Sequence, residues 1–215
     1  MSKQFDLIIF DWDGTLVDSI DWIVRCLQHA AVECGCQVPD KESAREIIGL
    51  SIERAMETLF PGIDGSTQEQ LIRLYSQQFF SKQFGREDLF EGVYDMLGNF
   101  KQDGYKLAVA TGKKNAGLVE AMTSTGVVEM FDITRSADQT ASKPNPLMID
   151  EIVAAMNVSK ARTLMVGDSV HDLQMARNAG VAAIAVACGA HRCEVLRQHQ
   201  PLHCLPRTSA LMGMI

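Results

Sequence analysis

Residues 8–19, IIFDWDGTLVDS, join a short apolar run to two aspartates that stand two residues apart. The run that ends at Phe10 is aromatic and β-branched, which predicts a β-strand. Asp11 and Asp13 follow where this strand would emerge, and unpaired carboxylates in such a place repel one another. The stretch therefore predicts a buried strand with a charged carboxyl end.

Three later runs have the same apolar character: KLAVAT at 106–111, TLMVGD at 163–168 and AAIAVA at 182–187. Near-continuous apolar runs are typical of strands that are buried on both faces of a sheet. Helix-like segments flank them at 92–102, 115–125, 146–156 and 172–179. This alternation predicts an α/β fold, a Rossmann-like parallel sheet with right-handed crossovers.

Three of the four predicted strands end in polar residues. Asp11 follows the first strand, Thr111 and Gly112 end the second, and Asp168 ends the third. In open α/β sheets the ligand crevice lies at the carboxyl ends of the strands. We therefore expect these residues, distant in sequence, to meet at one site.

A long helical stretch separates the first predicted strand from the second. Residues 17–85 show helical periodicity, as in DWIVRCLQHAAVEC and SIERAMETLF, and contain no convincing strand. A crossover between parallel strands needs only about a dozen residues, so this stretch is too long for a connection. It predicts an inserted helical-bundle cap at 17–85 on a core formed by 1–16 and 86–215.

The composition restricts the class of protein. The 47% hydrophobic content is enough to bury a core, which argues against a disordered chain. A formal net charge of -7 argues against a nucleic-acid partner, because phosphate backbones select basic surfaces. We see no signal peptide and no apolar run long enough to span a bilayer, so we expect a cytoplasmic protein with no membrane partner. The six cysteines are then expected to be reduced thiols.

Four segments carry a resemblance to a known family: DWDGTLVDS, ATGKKN, SKPNP and GDSVHDLQMARNAG. Their order and approximate spacing resemble the four motifs of the haloacid dehalogenase-like superfamily. The position of the cap resembles that of the first subclass, which includes phosphoglycolate phosphatases, pyrophosphatases and β-phosphoglucomutases. The resemblance extends from Phe5 to about Ala187 and lies closer to the phosphoglycolate phosphatases.

The resemblance implies how the two aspartates divide the chemistry. A carboxylate can attack phosphorus and form an aspartyl phosphate, and Asp11 matches that position. Asp13 matches the acid that protonates the leaving oxygen and later takes a proton from water. Gly14 allows the sharp turn that follows and brings its N–H to the phosphate region.

The family pattern also implies groups that offset the negative charge. Mg²⁺ prefers oxygen ligands, and the pattern assigns them to Asp11, Asp168 and the backbone carbonyl of Asp13. Asp172 matches the second acidic position of the fourth motif, where we expect it to support the metal ligands. The implied cofactor is therefore Mg²⁺.

The second and third motifs imply the groups that hold the phosphate. Lys143 matches the lysine that pairs with both the nucleophile and the transferring phosphoryl group. Thr111 matches the hydroxyl that donates to a phosphoryl oxygen, with the N–H of Gly112 beside it.

The implied enzyme is a Mg²⁺-dependent phosphatase, a phosphoric monoester hydrolase that acts on a small phosphorylated metabolite as a monomer or homodimer. Two alternatives stay open. A phosphomutase of the β-phosphoglucomutase type would use the same residues, and a non-catalytic member would serve as a binding module.

Two further features are weaker. Arg45 or Arg54 of the cap is a candidate for recognising an anionic part of the substrate, because cations are scarce nearby. The C-terminal run CGAHRCEVLRQHQPLHC contains cysteines and histidines, but its spacings do not match a zinc site, and we expect ordinary structural residues.

Overall fold

The computed structural model of the protein describes residues 3–215. Its centre is a six-stranded parallel sheet with the strand order β3-β2-β1-β4-β5-β6. The strands are β1 Leu7–Phe10, β2 Lys106–Thr111, β3 Ile133–Ser136, β4 Thr163–Gly167, β5 Ala182–Val186 and β6 His203–Leu205. The predicted α/β class with a Rossmann-like parallel sheet is confirmed. The two edge strands, β3 and β6, were not predicted.

The core helices follow the strands and cover both faces of the sheet. They are α5 Val93–Gln102, α6 Asn115–Thr125, α7 Leu147–Met156, α8 Val170–Ala179 and α9 Cys193–Arg197. In β1, Ile8 and Phe10 pack into the hydrophobic cluster on one face, and Leu7 and Ile9 pack into the cluster on the other. All four side chains are fully buried, as the continuous apolar run predicts.

Four helices lie between β1 and β2: α1 Ile20–Glu33, α2 Lys41–Glu46, α3 Ile52–Leu59 and α4 Gly65–Phe79. The side chains of Asp40, Ser51 and Asp64 cap the last three by accepting backbone N–H groups of their first turns. The helices bury a hydrophobic cluster of their own around Leu27, Met56 and Leu71. We call these helices and their loops the cap; its boundaries at 17 and 85 stay a prediction.

The cap touches the core beside the carboxyl end of the sheet. The Ser51 N–H donates to Ser142 Oγ (2.9 Å), and Glu46 O lies 2.8 Å from His171 Nε2. The closest approach is at Gly112, where an added Cβ would lie only 2.5 Å from Gly49 O. Only glycine fits there, so the cap loop reaches the backbone of the core.

A disulfide joins Cys193 in α9 to Cys204 in β6, whose Cα atoms lie 6.1 Å apart. The expectation that all cysteines are reduced is therefore wrong for this pair. The reason is local, since α9 and β6 pack together and bring residues eleven apart in sequence into contact. The other four cysteines, Cys26, Cys34, Cys36 and Cys188, are free thiols.

Within residues 3–215, no helix combines the length and the apolar character that crossing a bilayer requires.

Candidate active site

The first strand places Asp11 at the centre of the carboxyl edge of the sheet. The Asp11 N–H donates to Val166 O of β4 (3.0 Å), which extends the ladder one residue beyond β1. Asp168 follows the end of β4, the neighbouring strand. Because neighbouring parallel strands end at the same edge, both carboxylates reach one site, and both are almost completely buried.

A tight turn after β1 carries Asp13 and Gly14. The Gly14 N–H donates to Val17 O (2.9 Å), and Gly14 has a φ of 78°, a conformation that favours glycine. A Cβ on Gly14 would also lie 2.8 Å from Asp168 Cγ. Glycine at this position therefore lets the turn lie directly against the Asp168 carboxylate.

Asp13 remains partly open to the cleft, with 14% of its side chain exposed. Its Oδ1 accepts a hydrogen bond from Ser19 Oγ (2.7 Å), and its Oδ2 lies 3.0 Å from Lys113 Nζ. Trp12, between the two aspartates, packs into the hydrophobic core. The Asp13 carboxyl is thus oriented on both oxygens while staying accessible to a ligand.

Lys143 is buried between two carboxylates. Its Nζ lies 2.8 Å from Asp11 Oδ1 and 2.6 Å from Asp172 Oδ1, and its side chain is fully shielded from solvent. Burial works to lower the pKa of Lys143, but the charges of Asp11 and Asp172 outweigh it and raise the pKa above its ordinary value. Lys143 is therefore a permanent cation within the acidic cluster.

The pKa values of two buried carboxyls, Asp11 and Asp168, are raised above the ordinary range. Burial raises the pKa of Asp11 well above its usual range, although Lys143 opposes the shift. Burial and the charge of Asp172 raise the pKa of Asp168 to about 7. Both shifts mean that burial and the neighbouring carboxylates disfavour the charged forms of Asp11 and Asp168, an effect that a bound cation would offset.

Neighbouring groups fix the orientation of Asp168 and Asp172. Asp168 accepts hydrogen bonds from Thr15 Oγ1 (2.6 Å) and from the Ala190 N–H (2.7 Å). Asp172 Oδ2 accepts from the N–H (3.1 Å) and the hydroxyl (2.7 Å) of Ser169, in a capping box at the start of α8. The carboxylates are therefore held in place before any ligand arrives.

The acidic cluster fits a hard divalent cation. One carboxylate oxygen from each of Asp11, Asp168 and Asp172 lies within 4.8 Å of the other two. Asp11 Oδ1 is buried, and its contact with Lys143 lacks hydrogen-bond geometry, so the oxygen has no hydrogen-bond donor among the described residues. An all-oxygen donor set of this kind suits Mg²⁺. Asp172 joins the cluster as closely as the two predicted side-chain ligands.

Thr111 ends β2 next to β1, and its side chain is buried at the same edge. Its Oγ1 accepts a hydrogen bond from the Lys113 N–H (3.2 Å). Gly112 follows it under the cap loop. The sheet thus brings together all eight residues that the sequence proposed: Asp11, Asp13, Gly14, Thr111, Gly112, Lys143, Asp168 and Asp172.

A cleft between core and cap opens onto this edge, with a volume of about 820 Å³ that includes solvent at its mouth. Asp11, Asp13, Thr111 and Gly112 line its core side, and residues of α1, of the loop between α2 and α3, of α3 and of the end of α4 line the other. Arg45 and Arg54 do not line it. Arg45 pairs with Asp21 on the surface (3.0 Å), and Arg54 is exposed on α3.

Four residues that contact the carboxylates of Asp13 or Asp168 were not predicted: Thr15, Ser19, Lys113 and Ala190. Thr15, Ser19 and Lys113 stand within or directly after quoted motifs, so their nearness in sequence to the aspartates and Thr111 was an available signal. The Ala190 N–H comes from the loop after β5. A backbone donor of this kind cannot be predicted from the type of residue, because almost every residue carries one.

Known proteins resemble the chain over almost its whole length. The family model described as haloacid dehalogenase-like hydrolase matches residues 8–186. A probable phosphatase of Dickeya dadantii, IndB, is 34% identical over 96% of this chain and 92% of that protein. A phosphoglycolate phosphatase of Nitrosococcus oceani is 26% identical over 94% of this chain and 92% of that protein.

The fold has close counterparts among solved structures. The crystal structure of a predicted phosphoglycolate phosphatase from Haemophilus somnus superposes with a TM-score of 0.85 at 21% identity, covering 100% of this chain and 99% of that one. Similarity at this level of identity shows the fold. The family match and the 34% identical relative go further and confirm the resemblance drawn from the four motifs. The chain is therefore an enzyme of the haloacid dehalogenase-like hydrolase family.

Proposed function

We propose that the protein is a Mg²⁺-dependent phosphatase that hydrolyses a small phosphate monoester through an aspartyl phosphate on Asp11. The observation that carries the proposal is the buried cluster in which Lys143 Nζ contacts both Asp11 and Asp172 while Asp13 faces the cleft two residues away. A nucleophile and an acid stand together at one opening, and a fixed cation is buried directly behind the nucleophile. The phosphatase names of the relatives support the same reaction class.

In the first step, a carboxylate oxygen of Asp11 forms a bond to phosphorus as the bond from phosphorus to the ester oxygen breaks. Asp13 gives its proton to that oxygen, which leaves as an alcohol. Lys143 and the Thr111 hydroxyl would stabilise charge on the phosphoryl oxygens. The products of this step are the free alcohol and the phospho-enzyme.

In the second step, Asp13 accepts a proton from water as the water oxygen bonds to phosphorus. The bond from phosphorus to the Asp11 oxygen breaks, which releases inorganic phosphate and restores the carboxylate. Asp13 can serve both steps because its oxygens are oriented by Ser19 and Lys113 yet open to the cleft. The proton that Asp13 loses first is regained from the water.

Asp11, Asp168 and the backbone carbonyl of Asp13 would hold the Mg²⁺, and Asp172 lies close enough to support these ligands or to join them. When bound, the ion supplies positive charge that draws the ester phosphate to the carboxylate cluster and stabilises the charge of the transition state. Thr15 and the Ala190 N–H would keep Asp168 aimed at it.

The test is release of inorganic phosphate from a panel of small phosphate monoesters, with Mg²⁺ and with EDTA. We expect turnover with Mg²⁺, its loss in EDTA, and a fall of at least about 1,000-fold in Asp11→Asn, because the amide cannot act as the nucleophile. Asp18→Asn is the matched control, since Asp18 is an exposed aspartate outside the cluster. Turnover by Asp11→Asn at the rate of Asp18→Asn would refute the proposal.

A second outcome is also informative. Isomerisation of sugar phosphates without phosphate release would replace the phosphatase by the phosphomutase alternative. Binding of Mg²⁺ and esters with neither reaction would indicate a non-catalytic member.

A further inference from the structure

The cap side of the cleft is almost entirely apolar. Ile23 and Leu27 of α1, Ile48 and Leu50 of the loop before α3, Ile52 of α3 and Phe79 of α4 face the cleft. Among the described residues of the cap that line it, none is charged. The wall that would surround the organic part of a substrate is therefore hydrocarbon.

The polar side chains that the cap contributes are few. They are Tyr75 and Ser76, and Ser76 donates its hydroxyl proton to Ile72 O (2.7 Å) within its own helix. The ring of Tyr75 stacks with that of Phe79 (5.8 Å between centroids), which adds aromatic surface to the wall.

The cations at the cleft already have partners. Lys143 is held by Asp11 and Asp172 in the phosphoryl site. Lys113 Nζ lies 3.0 Å from Asp13 Oδ2 and 4.2 Å from the centroid of the Phe79 ring.

Lys114 Nζ lies 2.7 Å from Glu53 Oε1, and about half of the Lys114 side chain is exposed. Arg45 and Arg54 lie outside the cleft. A second anionic group on the substrate would therefore be buried against a cap wall that offers it no cation, and it would have to compete with Asp13 and Glu53 for Lys113 and Lys114, which is strongly unfavourable.

We propose that the substrate is the phosphate monoester of an apolar alcohol, alkyl or aryl, and that the cleft selects against phosphorylated compounds with a second anionic group, such as phosphoglycolate or pyrophosphate. The inference rests on the proposed function and names its substrate class. The phosphate would meet the core side, where the charges are, and the hydrocarbon would replace water against the cap.

The test compares esters whose leaving oxygens have similar reactivity. Butyl phosphate should exceed ethyl phosphate in kcat/KM by about 15-fold, since each of its two additional buried methylenes contributes about fourfold. The matched pair is pentyl phosphate and 4-phosphonooxybutanoate, in which a terminal carboxylate replaces the last two carbons of the pentyl chain. We expect pentyl phosphate to be preferred by at least about 100-fold.

Cap variants test whether the wall causes this preference. Ile52→Lys adds a cation to the cleft at a half-buried position and should reduce the preference for pentyl phosphate about tenfold or more. Phe80→Lys does the same at a cleft residue that is 52% exposed, should the first variant fold poorly. Val32→Lys is the control, because it adds the same charge on an exposed cap position outside the cleft.

Two controls separate this inference from the proposed function. Acetyl phosphate has a small, reactive leaving group, so its hydrolysis reports phosphoryl transfer independently of the wall. Calorimetry of the matched pair with Mg²⁺-loaded Asp11→Asn measures how strongly the cap side of the cleft prefers pentyl phosphate, independently of turnover.

Hydrolysis of acetyl phosphate with equal or better use of 4-phosphonooxybutanoate would overturn the apolar-substrate inference alone. Selective binding of pentyl phosphate without any turnover would support it and overturn the phosphatase assignment. Absence of both turnover and selective binding would overturn both.

Discussion

Replacing Lys143 by methionine removes the cation at the centre of a buried acidic cluster. Its Nζ lies 2.8 Å from Asp11 Oδ1 and 2.6 Å from Asp172 Oδ1 with no solvent access, so both carboxyls lose their charge partner. Breaking a buried ion pair from one side costs about 3–5 kcal/mol. Methionine fills a similar volume, which limits any packing cost.

For a chain of this size each kcal/mol lowers Tm by about 2–4 °C, so we expect metal-free Lys143→Met to melt roughly 6–20 °C below the wild type at pH 8. Calorimetry and urea unfolding measure the effect. Because burial raises the pKa of Asp11, that carboxyl takes up a proton readily on acidification, so the loss should shrink at pH 5. Lys41→Met, at an exposed lysine, is the control.

A double-mutant cycle with Asp172→Asn isolates the interaction. In the double variant the amide at position 172 no longer needs a cation. The loss in free energy of unfolding of the double variant should therefore be smaller than the sum of the losses of the two single variants, by about 0.5–3 kcal/mol. Additive losses, or a loss in Lys143→Met below about 1 kcal/mol at pH 8, would refute the view that Lys143 neutralises the cluster.

Two other predictions concern the metal site and the cap. The pKa of Asp168 is raised from 3.8 to about 7, so its contribution to metal-free stability is full below about pH 4 and is lost as the pH rises through 7. In the proposed site Mg²⁺ would take the place of the proton, so saturating Mg²⁺ should raise Tm by about 5–10 °C at pH 8 but much less at pH 5; equal shifts, or the same pattern in Asp168→Asn, would contradict this. Gly112→Ala puts a Cβ 2.5 Å from Gly49 O, so the cap loop must shift; kcat/KM should fall about tenfold or more, and an overpacking cost of about 1–3 kcal/mol should lower Tm by about 2–12 °C. Gly98→Ala, whose Cβ meets nothing within 4 Å, is the control, and equal activity in the two variants would show that the cap loop does not need this space.

The sequence predicted what depends on long, regular patterns. The helix expected at 115–125 is α6, Asn115–Thr125, and the four apolar runs are the four inner strands. The edge strands β3 and β6 were not predicted because an edge strand buries less apolar surface than an inner strand. In β3 only Ser136 is buried, and Arg135 pairs with Glu151 (2.6 Å). The three residues of β6 are exposed or half-buried, which leaves no apolar run to detect.

The candidate site was predictable to the extent that it follows from topology. Asp11 and Asp168 meet because parallel neighbours end at one edge, which the order of strands and helices already indicates. The hydrogen bond from Thr15 to Asp168 and the contact of Lys113 with Asp13 depend on turn geometry that no spacing specifies. The disulfide was not predicted because it depends on the packing of α9 beside β6, a strand that was itself not predicted.

The central position of β1 has a consequence for how the chain is made. β1 leaves the ribosome before the other five strands of the sheet, yet Leu7 pairs with Lys106 and Thr163, which are synthesised much later. At about 5–20 residues per second, the strand waits roughly 5–20 s for its first neighbour. The cap helices contact one another and need no distant partner, so they can form in that interval. A nascent chain that stalls before β2 therefore presents an unpaired apolar strand, open to chaperones and to aggregation.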